Sequence, residues 1–388
     1  MSREPSIYST HFGLLCMSSF LFSASFNMLI PELPEYLSSL GGAEYKGLII
    51  ALFTLSAGIS RPFSGRLTDT FGRVPVMAIG SLVCFVCGIL YPLLTTVSGF
   101  LFLRLLHGFS TGFKPTATSA YVADIIPQQK WGEALGIHGI CFSTGMAIGP
   151  ALGSMVKNHS SMNMLFYVSS VFALLSIAIL MNMKETLVQK EKFQLKFLKL
   201  TRHDIIAKEA IPAAIVTMLS YFSYGVILTL IPDWTTHVGI ANKGIFFVVF
   251  TVFSILVRFF AGKASDRHGR IYVIRIGLAL LSISLMVIGY FDDLNGLFIG
   301  SALYGVATGI LSPAVNAWTA DLSKPEERGK AMATMYIALE VGIGSGALIG
   351  GWYYADILAH IPVVLYISAT ITMIALVYMF TRDAKKQS

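Results

Sequence analysis

Lys114 lies deep in the apolar run 98–123 and Glu340 near the centre of the run 330–354. Charged side chains in such surroundings are costly and are functional candidates by default. A buried carboxylate can load and release a proton near neutral pH, and a nearby cation opposes loading. Glu340 and Lys114 are therefore expected to bind a substrate or carry a proton. Lys114 precedes Asp124 by ten residues, about 15 Å along a helix, which puts it near the middle of its run. Arg104 sits nearer the other end of that run, at a depth comparable with Glu32. A purely structural Lys114–Glu340 or Arg104–Glu32 bridge is the competing expectation. His107 and His138 titrate in the useful range, although on crowded helices a hydrogen-bonded packing role is the first expectation for both. Asn27, Tyr221, Tyr224, Asn316, Trp318 and Tyr336 add polar or aromatic groups within other apolar runs.

The elements that must position these groups are long apolar helices. Of the 388 residues, 55% are hydrophobic and 13% charged, with a mean hydropathy of +0.70; soluble domains carry about 25% charge. A bilayer-spanning helix needs about 20 apolar residues. Twelve runs qualify: 12–35, 46–64, 74–95, 98–123, 133–156, 162–183, 209–232, 241–261, 271–290, 294–320, 330–354 and 361–381. The expected fold class is an all-α membrane protein of twelve transmembrane helices in two six-helix bundles. No secretory leader is expected, since the first apolar run is too long and lacks a small-residue cleavage site.

With both termini cytoplasmic, 23 of the 28 Lys and Arg fall on the cytoplasmic side, whereas Lys46, Lys157 and Lys243 fall outside. That asymmetry orients the chain, so the net charge of +7 reports topology rather than a nucleic-acid partner. All four cysteines lie inside apolar runs. Cys84 and Cys87 read better as small helix residues than as a redox pair. Gly108-Phe109-Ser110-Thr111-Gly112 fits a hydrolase elbow but lacks its strand–turn–helix context. Asn158-His159-Ser160 is a glycosylation sequon.

The chain repeats itself. Gly65-Arg66-Leu67-Thr68-Asp69-Thr70-Phe71-Gly72-Arg73 recurs as Gly262 to Arg270, an offset of 197 residues that keeps Gly65, Asp69, Gly72 and Arg73 as Gly262, Asp266, Gly269 and Arg270. The same offset carries Lys46 onto Lys243, Arg61 onto Arg258, Gly108 and Gly112 onto Gly305 and Gly309, Asp124 onto Asp321, and Gly145, Gly149 and Gly153 onto Gly342, Gly346 and Gly350. Pro150 has no counterpart, as Ala347 stands there. Domains follow: 1–184 and 209–388 as six-helix bundles, with 185–208 a cytoplasmic linker that could lie on the leaflet or in solvent. An even number of crossings gives both halves one topology. Asp69 is expected at the start of the third span, where a carboxylate favours a helix N-terminus. Arg73 can reach Asp124, and Arg270 can reach Asp321. The three glycines at i, i+4 and i+8 make a smooth face for close helix approach.

These residues resemble the major facilitator superfamily over essentially the whole chain. Gly65 to Arg73 matches its loop signature G-x-L-x-D-x-x-G-R. Arg104 with Gly108 and Gly112 is similar to its fourth-span motif. Gly145 to Gly153 is similar to the fifth-span motif G-x-x-x-G-P-x-x-G of twelve-span drug:proton antiporters. The resemblance implies alternating access about a central cavity lined by spans one, seven, ten and eleven. It also implies loop pairs that latch the cytoplasmic face in the outward-open state, and a fifth-span face packed against the other half. The resulting expectation is a proton-coupled exporter of small amphipathic compounds or drugs, with a proton-coupled uptake symporter for a small, anionic metabolite or sugar as the alternative. It is not expected to be an enzyme. Cofactors and metals are expected to be absent, with the proton gradient as energy source. The partners expected are a small-molecule substrate, protons and the lipid bilayer of the inner (plasma) membrane, without nucleic acid, for a monomer.

Overall fold

A computed structural model describes residues 9–127, 130–187, 191, 194, 206–323 and 328–384, without the side chains of 131–133, 259, 262, 263, 266, 328, 329 and 382–384. The linker expected at 185–208 therefore lies largely outside the described residues, as does the Asp266 side chain. Among the described residues the regular structure is helical, with no strand. In chain order the helices are α1 (Thr10–Asn27), α2 (Leu33–Ser39), α3 (Lys46–Thr70), α4 (Arg73–Leu90), α5 (Val97–Ile125), α6 (Trp131–His159), α7 (Met162–Met181), α8 (Ile211–His237), α9 (Ile245–His268), α10 (Arg270–Tyr290), α11 (Leu294–Leu322), α12 (Arg328–Tyr354) and α13 (Ile361–Ala384). All but the seven-residue α2 correspond one to one with the twelve apolar runs. Among the described residues nine of these helices are long and apolar enough to cross a membrane by length and composition alone. Large apolar side chains such as Met181, Phe260 and Trp352 are strongly exposed, as a lipid-facing surface requires.

Local chemistry sets the ends. Ser9, Thr96, Ser161 and Asp293 each accept a hydrogen bond from a first-turn amide and so cap α1, α5, α7 and α11. The run 12–35 is not one helix. Pro31 lacks an amide and its ring would clash with the Asn27 carbonyl; α1 stops at Asn27, and after a turn α2 begins beside Pro34. Glu32 accordingly sits beyond α1, not within the first span. The loop signature differs too. Helix α3 runs on to Thr70, and the turn is left to Phe71 and Gly72, whose φ of 134° only glycine adopts readily. Gly269 repeats this at 89°. Gly65 is a helical residue with open space beside it.

The chain divides into two compact units, Met1–Ile30 with Ser56–Thr201 and Pro31–Leu55 with Arg202–Ser388; they are called here the first and second bundles, and α3 contributes to both. In the first, α1 packs on α6 and α7, and α4 on α5 and α7. In the second, α8 packs on α12 and α13, α10 on α11 and α13, and α9 on α11. The glycine stripes explain two of these contacts. A Cβ on Gly149 would lie 2.8 Å from the Ala24 carbonyl oxygen, and one on Gly153 only 2.0 Å from that of Met28. Gly342 and Gly346 approach Met218 and Phe222 of α8 in the same manner. The three glycines of the fifth-span motif thus pack on α1 of their own bundle. Backbone-to-backbone approach needs a partner of small relief, and α1 offers Ser23 and Ala24. The helix continues unbroken through Pro150.

Candidate substrate and ion site

Within the first bundle Arg104, His107 and Lys114 of α5 lie buried along a polar seam. Lys114 is 1% exposed. Its ammonium donates to the Ser18 carbonyl at 3.1 Å, to the Ser18 hydroxyl at 2.8 Å, to Ser81 at 3.0 Å and to Ser176. The Phe22 ring lies 4.8 Å away. Helix α5 reaches this spot because α4 has glycine there: a Cβ on Gly80 would be 2.8 Å from the Lys114 Cβ. Higher on α5, Arg104 donates to the Tyr91 hydroxyl at 3.4 Å. That hydroxyl meets His107 Nδ1 at 3.2 Å, and His107 Nε2 meets the Cys84 thiol at 3.1 Å. Cys84 touches Ser25, whose hydroxyl donates to the Ser169 carbonyl at 2.7 Å. His138 lies apart on α6 and bonds Ser19 at 2.9 Å. Asn27 donates to the carbonyl of Ser23 one turn back, a local helix bond.

The second bundle gathers a different set. Glu340 is buried at 8% exposure. Ser312, Arg258, Tyr336 and Glu340 lie around the Tyr221 hydroxyl. Tyr221 and Tyr224 meet edge to face with centroids 6.3 Å apart. Asn316 is half-buried one turn beyond Ser312, whereas Trp318 is buried at 6% exposure on another face of α11.

The loop pairs form within each bundle. Arg73 Nε donates to Asp124 at 3.0 Å and its Nη1 to Asp69 at 3.1 Å. Arg270 donates to Asp321 at 3.1 Å and to Ser265. Asp69 does not serve α4, because it is still in the last turn of α3. The α4 N-terminus is served from a distance by Glu185, whose carboxylate accepts from the amides of Arg73 at 3.0 Å and Val74 at 3.1 Å. Replacing Glu185 with Ala should cost about 1–2 kcal/mol, from a lost cap and a lost helix-dipole partner. Hydrogen exchange at Arg73 and Val74 should quicken about tenfold, since 1.4 kcal/mol is a factor of ten; unchanged protection would remove Glu185 from this role.

A further polar cluster lies inside the second bundle. Lys46 donates to Asp233 at 2.7 Å and to Asp356, and the Tyr354 hydroxyl donates to the same Asp233 oxygen at 2.9 Å. Lys243, its repeat mate, pairs with Glu35 and lies 3.5 Å from Glu32. Glu32 therefore has an ion-pair neighbour in Lys243. Sequence reading also missed Ser18, Ser81, Ser176, Arg258, Glu185 and Asp356. Arg258 alone carried a signal, as the repeat mate of Arg61.

Two repeated sets of membrane-crossing helices, with charged side chains buried inside each, define a polytopic membrane transporter. The family model described as Major Facilitator Superfamily matches residues 15–205 and 213–388, and the chain belongs to that family. It is 28% identical to the multi-drug resistance efflux pump PmrA homolog of Lactococcus lactis subsp. lactis (strain IL1403), over 85% of each chain. It is 25% identical to multidrug resistance protein 2 of Bacillus subtilis (strain 168), over 93% of each. The fold is shared with the human organic anion transporter MFSD10, at a TM-score of 0.73 and 18% identity, covering 95% of this chain and 98% of that one.

Proposed function

We propose that this protein exports small amphipathic compounds, drugs among them, in exchange for protons. The relatives named as a multi-drug resistance efflux pump and a multidrug resistance protein support the substrate class, together with the fifth-span motif Gly145-x-x-x-Gly149-Pro150-x-x-Gly153. The observation that carries a coupled mechanism is the burial of ionisable side chains, Lys114 in one bundle and Glu340 in the other. The repeats 1–184 and 209–388 act as the rocking halves, joined by 185–208, and the Arg73–Asp124 and Arg270–Asp321 pairs stabilise one end of the cycle. Glu340, with Arg258, Tyr221 and Tyr336, contacts the substrate. The protein works as a monomer in the cell inner (plasma) membrane with both termini cytoplasmic, and needs no cofactor beyond the proton gradient.

Everted vesicles carrying the protein should accumulate ethidium when acidified inside, and should release it when nigericin collapses the gradient. Glu340→Gln should slow that uptake at least about tenfold, as removal of a buried functional charge does. Ethidium movement that ignores the gradient, or faster movement in right-side-out vesicles, would sink the export reading.

A further inference from the structure

The internal repeat supplies a control for every buried group in α4 and α5. At the offset of 197, Gly112 meets Ala57 and Ser60 of α3, and Gly309 meets Ser254 and Val257 of α9, the repeat mates of those residues. Gly80 meets Lys114, and its mate Gly277 meets Leu311, the mate of Lys114. Equivalent backbone sites in the two bundles are therefore known residue by residue. Where the first bundle has Ser81, Cys84, Tyr91 and Lys114, the second has Leu278, Leu281, Ile288 and Leu311, buried at 0, 1, 0 and 5% exposure. The α10–α11 interface thus packs with apolar side chains at the very positions where α4–α5 holds a lysine among hydroxyls. The second bundle packs without a counterpart of Lys114.

The cage around Lys114 has a second property. Its side-chain partners are hydroxyls, which both donate and accept. Among the described residues no carboxylate lies within ion-pair distance of it. While the ammonium is charged, Ser18 and Ser176 accept from it, and their own protons have carbonyl acceptors: Ser18 donates to the Ser176 carbonyl at 3.2 Å and Ser176 to that of Ser18 at 2.9 Å. Once the amine is neutral, either hydroxyl can turn and donate to its lone pair. Both protonation states are therefore satisfied without moving a helix, whereas a carboxylate partner would hold the ammonium charged. The titratable groups facing it are the Cys84 thiol on α4 and His138 on α6; α1 and α7 contribute hydroxyls, a carbonyl and the Phe22 ring. His107 and Arg104 occupy the same face of α5 further along.

We propose that Lys114, in its cage of Ser18, Ser81 and Ser176, is the group that carries the coupling proton, and that the first bundle alone holds this function. This rests on the proton-coupled reading above. In the step itself an Nζ–H bond breaks, the proton passes to water as hydronium on the releasing side, and the amine keeps the electron pair. Uptake from hydronium on the other side restores the ammonium.

The test reads the proton directly, with no transported substrate. In protein labelled with 15N-lysine in nanodiscs, the Nζ resonance missing from Lys114→Leu should pass between its charged and neutral forms within the pH range over which gradient-driven uptake operates. A resonance that stays charged across that range overturns the proposal, whatever the transport assays give. Lys114→Leu should fold, as its repeat mate does, while ethidium uptake driven by the pH gradient falls to background. Lys114→Arg separates proton carriage from structure: a fixed cation restores a structural role but cannot release a proton. Gradient-driven uptake should stay at background in that variant, and uptake restored to wild type by arginine would overturn the assignment. Should ethidium prove not to be transported at all, the titration still decides the role of Lys114 and only the export reading falls.

Discussion

Gly153→Ala and Gly346→Ala are each expected to abolish recovery of folded, monodisperse protein. The added Cβ would stand 2.0 Å from the Met28 carbonyl oxygen in the first case and from that of Phe222 in the second. Ordinary contact begins at 3.4 Å, so α1 or α8 would have to withdraw by about 1.4 Å along a helix–helix contact made of backbone. No side-chain rotation relieves a clash with a carbonyl. Overpacking of this kind costs about 1–3 kcal/mol or more, and here the neighbouring glycines of the stripe lose their contacts as well. Gly65→Ala is the matched control. Nothing lies within 4 Å of its new Cβ, so the helix should gain about 1 kcal/mol. Fluorescence-detected gel filtration with a melting curve separates the three. A Gly153→Ala protein that melts like the parent would refute the close α1–α6 packing.

Lys46→Met should lower stability by about 3 kcal/mol, the scale for breaking a largely buried ion pair with both charges of the partner side left behind. Lys46 is 5% exposed, and the Asp233 side chain only 15%. Without the ammonium, Asp233 and Asp356 lose their shared cation, and Asp233 keeps only the Tyr354 hydroxyl of this cluster. The turn after α12 adds to the loss. Ala355 and Asp356 adopt φ of 47° and 61°, a region L-residues enter at a cost, and the Lys46–Asp356 bond holds them there. Adding Asp233→Asn and Asp356→Asn to the Lys46 variant should recover most of the loss, because the stranded charges go. If the single variant melts within about 1 °C of the parent, the cluster contributes nothing measurable.

The loop signature and the buried charges divide in how far their structure could be read from the chain. Arg73 with Asp124 and Arg270 with Asp321 follow from sequence because each arginine opens one helix and each aspartate closes the next, at a spacing the repeat copies. Asp69 was assigned to the wrong helix, since a Gly-rich charged stretch reads as a turn whereas α3 absorbs six of its nine residues. Glu185 gave no signal. Its partners are backbone amides 111 and 112 residues away, and amides have no sequence identity to match.

What the sequence determined by itself is the number and order of the spans, their duplication, the loop pairs and the residues too costly to bury without purpose. Those properties are written in hydropathy and in a fixed offset, which act along the chain. Only the tertiary structure decided that Lys114 meets Ser18, Ser81 and Ser176, that Glu32 pairs with Lys243, and that the glycine stripes lie on α1 and α8. The physical reason is that every described helix carries at least one serine, and any hydroxyl would satisfy an ammonium equally. Which three converge is settled by helix phase and by the space that Gly80 leaves open, not by any property of the serines.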